Sequence, residues 1–212
     1  MKPQDLRSVR HARWFSHVNG VNPSRELRRW LTDRRSLTDK LVAGSSAFRV
    51  RRLHQRRALS LSDEFTVLGS ATRSSVKERE VLLVCDDRAL VFAHTIVPLN
   101  ATASDWPFFT ALGERSLGTT LFGDPQVQRG VLQFARLRPG HPLARRALRA
   151  SGSDAAQGPL YARRCLFKRK NGLLLVTEVF LPAISNLKSS GPNMARTPRR
   201  MRRTLQQPQR FF

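Results

Sequence analysis

The chain has 212 residues, of which 40% are hydrophobic, and it carries a formal net charge of +23. This length suffices for one domain with a substantial core or for two small ones. No run reaches the ~18 consecutive apolar residues of a membrane helix, and no apolar segment follows the basic N-terminus. We therefore expect neither a membrane span nor a secretory signal.

The positive charge is distributed unevenly along the chain. Residues 1–62 carry a net +11, residues 63–187 a net +5 and residues 188–212 a net +7. The last segment is polar, basic and contains proline, so we expect one domain over 1–187 and a disordered tail over 188–212. Such a tail would allow weak contact with nucleic acid or an anionic membrane, but charge alone does not name a function.

The cysteines and histidines give no metal or redox signature. Cys85 and Cys165 both lie in apolar, strand-like runs and form no disulfide framework, which predicts buried thiols in a cytoplasmic protein. The five histidines have no ligand spacing, and no glycine-rich phosphate loop occurs. We therefore expect neither a metal nor a cofactor.

The N-terminal third predicts two helices and two strands. Asn22-Pro23 is typical of a helix start and predicts a helix over Ser24 to Thr32. Ser36-Leu37-Thr38-Asp39 resembles a capping box and predicts a second helix. Phe48 to Leu53 and Phe65 to Leu68 are predicted strands, joined by an arginine-rich connection.

A hairpin follows. Glu80 to Cys85 and Ala89 to Val97 are predicted strands joined by the compact turn Asp86-Asp87-Arg88. Arg79 opens the first strand, and the two-residue period directs it to the same apolar face as Val81. An arginine on that face either extends to solvent at the strand end or holds an anion inside; both alternatives stay open.

The middle of the chain predicts short helices and one strand. Ser104 to Leu112 predicts a short helix, and Ser116-Leu117-Gly118 begins a helical turn that ends near Phe122. Val127 to Leu137 is a predicted strand. Residues 138–159 predict an irregular excursion that includes a short helix.

A second hairpin closes the domain. Leu160 to Arg169 alternates apolar and basic residues, and Asn171-Gly172 is a strong hairpin-turn signal. The strand after it, Gly172 to Pro182, is apolar on both sides except for Glu178. A buried ionised glutamate is costly unless it is paired or functional. The alternative is a glutamate at a strand end that is hydrogen-bonded or exposed to solvent and has no chemical role.

These elements predict an α+β fold: a single domain with an antiparallel β-sheet flanked by short helices. Arg79 and Glu178 lie on its strands, and two Ser-Leu pairs, Ser36-Leu37 and Ser116-Leu117, place backbone N–H groups at helix N-termini. One arginine, two sets of amides and one glutamate would suit a small, carboxylated and hydroxylated ligand in an enclosed pocket.

Four stretches resemble the chorismate–pyruvate lyases of bacterial ubiquinone synthesis. They are R-E-V-L-L (Arg79 to Leu83), A-H-T-I-V-P (Ala93 to Pro98), L-G-x-x-x-L-G-x-x-L-F (Leu112 to Phe122) and L-L-V-T-E-V-F-L-P (Leu174 to Pro182). Their order and spacing agree with that family over about residues 20 to 187.

The resemblance implies cleavage of chorismate to 4-hydroxybenzoate and pyruvate without a cofactor, in a pocket that helical flaps close. It implies that Arg79 holds the ring carboxylate, that Leu117 and Leu37 contribute to substrate binding, and that Glu178 faces the ring hydroxyl. Arg79 and Glu178 are the expected catalytic residues, with Glu178 either accepting the ring proton or orienting the hydroxyl. We expect a monomer with no obligate protein partner.

Three departures accompany the resemblance. His94 stands where an arginine is frequent in that family, the 138–159 excursion is longer than in compact members, and the tail has no counterpart. The alternative function is a non-catalytic effector-binding domain of the same fold. In transcription regulators such domains follow a helix-turn-helix domain, for which the region before residue 20 has no room. An RNA-associated role would rest on charge alone.

Overall fold

The computed structural model describes residues 11–153 and 158–187, so the predicted tail lies outside the described residues. The strands of this part are β1 (Trp14–Phe15), β2 (Phe48–Leu59), β3 (Ser75–Cys85), β4 (Arg88–Pro98), β5 (Val127–Leu137), β6 (Leu160–Arg169) and β7 (Gly172–Phe180). The α-helices are α1 (Arg25–Leu31), α2 (Leu37–Gly44), α3 (Leu117–Gly123) and α4 (Pro142–Ser151). Within the described ranges, none of these helices has the length and apolarity to cross a bilayer.

The strands form one antiparallel sheet in the order β1-β5-β6-β7-β4-β3-β2, which confirms the predicted α+β class. Strand β7, the apolar run that carries Glu178, lies in the middle of the sheet. Helices α1, α2 and α3 pack on one face, which we call the front face. Helix α4 packs on the opposite, back face.

Both hairpins predicted from turn residues are present. Asp86 and Asp87 connect β3 to β4 with φ angles of 46° and 61°, the left-handed region that short hairpin turns require. The β6–β7 turn falls one residue before the predicted Asn171-Gly172 pair. Lys170 adopts φ 53° and Gly172 already pairs with Arg169.

The first helix begins two residues later than its predicted start signal. Asn22 adopts a left-handed φ of 43° and ends the 3-10 turn Val18–Val21. The N-cap of α1 is instead Ser24, whose Oγ accepts a hydrogen bond from the Leu27 amide at 3.2 Å.

The prediction of a strand over Phe65 to Leu68 is wrong, because this segment is a series of turns. The Glu64 carboxylate accepts a hydrogen bond from the Leu61 amide at 2.8 Å, and the Leu68 amide bonds back to the Glu64 carbonyl. Local hydrogen bonds therefore fold the segment on itself. The strand before it, β2, extends to Leu59, well beyond the predicted end at Leu53.

Strand β3 begins at Ser75, so Arg79 lies inside the strand and does not open it. Charged residues obscured this boundary in the sequence: of Lys77, Glu78, Arg79 and Glu80, the first two fell outside the predicted strand. Three of the four are buried, and their charges are neutralised or hydrogen-bonded inside the domain.

Of two further segments, the first differs from expectation, whereas the 138–159 excursion contains the short helix predicted there. The helix predicted over Ser104 to Leu112 is a 3-10 turn, Pro107–Ala111. The 138–159 excursion contains α4, a regular ten-residue helix with His141 as N-cap and Gly152 at φ 71° as C-cap. Its alanines and leucines pack on the back face, and its arginines face outward and along β3.

The back face contains a buried charge cluster around His94. Its Nε2 lies 3.0 Å from Glu64 Oε1, and its Nδ1 lies 3.1 Å from Glu80 Oε1. Arg146 on α4 donates to both Glu78 and Glu80, at 2.9 and 2.6 Å. Burial alone would lower the pKa of His94, but the Glu64 and Glu80 carboxylates raise it to about 10. His94 is therefore a structural cation.

Replacing His94 should weaken the fold in a pH-dependent way. His94→Gln removes the cation that pairs with the buried Glu64 carboxylate and one of the cations that pair with Glu80, which should lower the unfolding free energy by about 3–5 kcal/mol. Because the folded pKa exceeds the ordinary value, the stabilisation should be complete below pH 6.5 and lost as pH rises through 10. Urea unfolding of wild type and variant between pH 6 and 10 measures the difference, which should shrink with rising pH. His11→Gln, at an exposed position, is the control. A pH-independent difference would contradict a charged His94.

Candidate active site

A cavity lies between the front face of the sheet and helices α2 and α3. Its walls include the four residues predicted from sequence: Leu37, Arg79, Leu117 and Glu178. The apolar part of the lining comes from four central strands and α3: Val81, Leu83, Ala93, Leu121, Phe167 and Val176. The elements thus bring together residues that are up to 141 positions apart in sequence.

Arg79 is a buried cation without a carboxylate partner among the described residues. Its Nη2 donates to the carbonyl oxygens of Gly113 and Arg115, at 3.0 and 2.9 Å. Its Nε is buried and has no acceptor in the described part of the chain. Burial, with a smaller contribution from Arg52, lowers the pKa of Arg79 to about 10, so the group stays protonated near neutral pH. The carbonyls fix the guanidinium, and its Nε remains available to an anion.

Glu178 is paired with Arg163, which the sequence reasoning missed. The two residues are direct cross-strand neighbours on β7 and β6, and Arg163 Nε donates to Glu178 Oε2. Arg163 Nη1 also donates to the carbonyl oxygens of Trp30, Leu31 and Asp33. The Arg163 side chain is 2% exposed and that of Glu178 19%. The pair therefore joins the middle of the sheet to the C-terminal end of α1.

A signal for Arg163 was present in the sequence. A turn at Asn171-Gly172 would place Cys165 opposite Glu178, and the observed turn one residue earlier places Arg163 there. Residues 163 and 165 share a strand face, and an arginine on that face is the expected partner of a carboxylate there. Arg163 and Arg164 adjoin one another, so the alternation alone did not say which of them faces the cavity. The pairing register of β6 with β7 shows that Arg163 faces the cavity.

The N-termini of α2 and α3 meet above the cavity. Both predicted Ser-Leu pairs begin helices, with Ser36 Oγ accepting from the Asp39 amide at 3.3 Å. Ser116 Oγ instead lies 2.6 Å from Thr38 Oγ1 and links the two helices. A Cβ atom at Gly118 would lie 3.2 Å from Thr38 Oγ1, so glycine permits this close approach. Leu37 and Leu117, both buried, form an apolar cover.

The cavity has a cation on one side and a carboxylate on the other, with an apolar lining between them. Arg79 on β3 and Glu178 on β7 lie on either side of β4, and adjacent strands are roughly 4.8 Å apart. Cation and carboxylate are therefore separated by roughly 10 Å at the backbone, with Ala93, Thr95 and Val176 between them in the lining. The neighbouring Cys165 thiol also lines the cavity, and burial raises its pKa, so it stays protonated.

Residues 9–189 match the family described as chorismate lyase. The chain belongs to the chorismate lyase family. A probable chorismate pyruvate-lyase of Cupriavidus pinatubonensis is 49% identical over 165 residues, which cover 78% of this chain and 85% of the relative. A probable chorismate pyruvate-lyase of Cupriavidus metallidurans is 44% identical over 195 residues, covering 90% and 91%.

Among solved structures, PhnF from Mycobacterium smegmatis is similar at a TM-score of 0.50 and 16% identity. The match covers 71% of this chain and 65% of that one. At this identity the likeness concerns the fold alone. The sheet and its helices are thus an architecture that the chorismate lyase family shares with a protein of very different sequence.

Removing Arg163 should destabilise the domain. Arg163→Met leaves the Glu178 carboxylate unpaired and three carbonyls without a donor, which should cost about 3–5 kcal/mol in urea unfolding. Adding Glu178→Gln should recover part of this loss, because no buried charge then remains unpaired. Arg136→Met, at an exposed position on β5, is the matched control. Equal, small losses in the two single variants would refute the buried pair.

Proposed function

We propose that this chain is a chorismate pyruvate-lyase that converts chorismate to 4-hydroxybenzoate and pyruvate, with 4-hydroxybenzoate serving ubiquinone biosynthesis. The observation that carries the proposal is the unpaired, buried Arg79 facing Glu178 across an apolar cavity, in a chain of the chorismate lyase family. No cofactor is needed for this elimination.

Arg79 is proposed to bind the ring carboxylate. Its Nε has no acceptor among the described residues, and the carbonyls of Gly113 and Arg115 hold the guanidinium in place. A charge-assisted hydrogen bond formed in a largely apolar pocket is stronger than one in water. The same contact would hold the carboxylate of 4-hydroxybenzoate, so substrate and product share it.

Glu178 is proposed to orient the ring hydroxyl. Its Oε2 is occupied by Arg163, which leaves Oε1 to accept the hydroxyl hydrogen. The reaction breaks the bond between the ring and the enolpyruvyl oxygen and removes the hydrogen from the hydroxyl-bearing carbon as a proton, so that the ring becomes aromatic. The released enolpyruvate takes up a proton in its place and becomes pyruvate, so the atoms balance. Aromatisation supplies much of the driving force, and correct positioning supplies much of the remaining catalysis.

Leu37 and Leu117 are proposed to contact the bound ring from the side of the helices. Both are buried at the first position of their helices, α2 and α3. Backbone N–H groups in a first helical turn have no intrahelical acceptor, so they add hydrogen-bond donors near an anionic ligand. The two helices are joined to each other through Thr38 and Ser116.

The direct test of the function is turnover. Purified protein mixed with chorismate should form 4-hydroxybenzoate and pyruvate in equal amounts, followed by absorbance and by a pyruvate assay. Tight binding of 4-hydroxybenzoate without turnover of chorismate would instead favour a non-catalytic effector-binding domain of the same fold.

Replacing Arg79 should weaken the binding of substrate and product together. Arg79→Ala removes a charge-assisted contact worth roughly 2–4 kcal/mol. Arg79→Lys should recover only part, because an ammonium cannot reproduce the planar fork. Measurements of KM for chorismate and of the inhibition constant for 4-hydroxybenzoate check this. Unchanged product affinity in Arg79→Ala would remove Arg79 from the carboxylate site.

The Glu178 variants separate an orienting role from a proton-accepting one. If Glu178 orients the hydroxyl, Glu178→Gln should keep kcat within about tenfold of wild type and Glu178→Ala should lose more. A loss of about 10²-fold or more in Glu178→Gln, with unchanged 4-hydroxybenzoate affinity, would assign the proton-accepting role instead. Unfolding curves of both variants serve as the control for stability.

A further inference from the structure

Arg129 is a second arginine in the cavity wall without a carboxylate partner in the described residues. It lies on β5, and its Nη1 donates to the carbonyl oxygen of Arg34. Its Nε is buried and has no hydrogen-bond acceptor among the described residues. A buried guanidinium nitrogen without an acceptor is unfavourable, so this atom is an unfilled donor in the wall of the site.

Two aromatic rings surround the Arg129 guanidinium. Its carbon lies 5.1 Å from the centroid of Phe122 on α3 and 6.0 Å from that of Phe167 on β6. Such rings stabilise a cation through their faces and leave its edge donors free.

The other two cations of the wall already have carboxylate partners. Arg163 is paired with Glu178. Arg35 is paired with Asp33, with Nη2 and Oδ2 3.1 Å apart. Arg79 and Arg129 are therefore the two lining arginines whose charge no described carboxylate balances. Two unbalanced cations match a substrate with two carboxylates.

Their placement also matches the substrate. Arg79 lies on β3, Glu178 on β7 and Arg129 on β5, and the sheet order is β5-β6-β7-β4-β3 across this region. The residue proposed to face the hydroxyl thus lies between the two free arginines. In chorismate the enolpyruvyl ether is on the carbon next to the hydroxyl, and the ring carboxylate is on the opposite side of the ring.

We propose that Arg129 binds the enolpyruvyl carboxylate of chorismate, an inference that rests on the proposed function. Arg79 then holds the carboxylate that stays with the ring, and Arg129 holds the one that leaves with pyruvate. After cleavage the aromatic product keeps its contact with Arg79 and has none with Arg129. Arg129 therefore favours the dianionic substrate over the monoanionic product.

A purely structural role for Arg129 makes a different prediction. Arg129 touches Arg34, just before α2, and Phe122 on α3, so it also links the two helices that cover the cavity. If this link were its whole contribution, losing it would change the binding of chorismate and of 4-hydroxybenzoate alike.

The test compares both ligands in the same variants. Arg129→Gln should lower kcat/KM for chorismate by about 10- to 100-fold, the effect of losing one charge-assisted contact. The inhibition constant for 4-hydroxybenzoate should change less than about twofold, and Arg129→Lys should fall between wild type and Arg129→Gln. Lys168→Gln, which removes an exposed charge from β6, is the matched control and should change neither value.

Equal weakening of both ligands in Arg129→Gln would overturn the inference and leave Arg129 as a link between helices. Unchanged kcat/KM would overturn it as well, while turnover by the wild type would leave the proposed function standing. If Arg129→Gln does not fold, the same comparison of the two ligands in Arg129→Lys decides the matter. Failure of the wild type to cleave chorismate would refute the proposed function itself.

Discussion

The site depends on positive charge that the fold buries without neutralising it. The guanidinium of Arg79 is 2% exposed on an apolar strand face, and two carbonyl oxygens are its acceptors among the described residues. Desolvating a cation in this way disfavours the folded protein. A bound carboxylate would offset that cost. Because folding has already desolvated the guanidinium, binding does not have to supply that part of the free energy. The surrounding β3, β4 and β7 make this arrangement rigid.

The two faces of the sheet differ in how far their buried charges are paired. On the back face, Glu64, Glu78 and Glu80 meet His94 and Arg146, so every carboxylate has a cation within ion-pair distance. On the front face, Arg163 and Glu178 form one complete pair, whereas Arg79 and Arg129 have no carboxylate partner within residues 11–153 and 158–187. The balanced cluster stabilises the fold, and the unbalanced arginines are those on which the proposed function rests.

The four residues that the family resemblance singled out, Leu37, Arg79, Leu117 and Glu178, all line one cavity. Helix caps and the strand period predicted the elements that carry them, because these signals are local in sequence. Arg163, Arg129 and the start of β3 at Ser75 were missed. In each case a charged residue reads as exposed until its partner, distant in sequence, is known. The turns at Phe65 to Leu68 were misread for a different reason: the local hydrogen bonds of Glu64 with Leu61 and Leu68 fold an apolar segment that has strand-like composition.

The most direct test is a crystal structure of the protein with 4-hydroxybenzoate. The account predicts the product carboxylate within hydrogen-bond distance of Arg79 Nε and its hydroxyl against Glu178 Oε1, beneath Leu37 and Leu117. A product bound outside this cavity, or bound with its hydroxyl toward Arg79, would contradict the account.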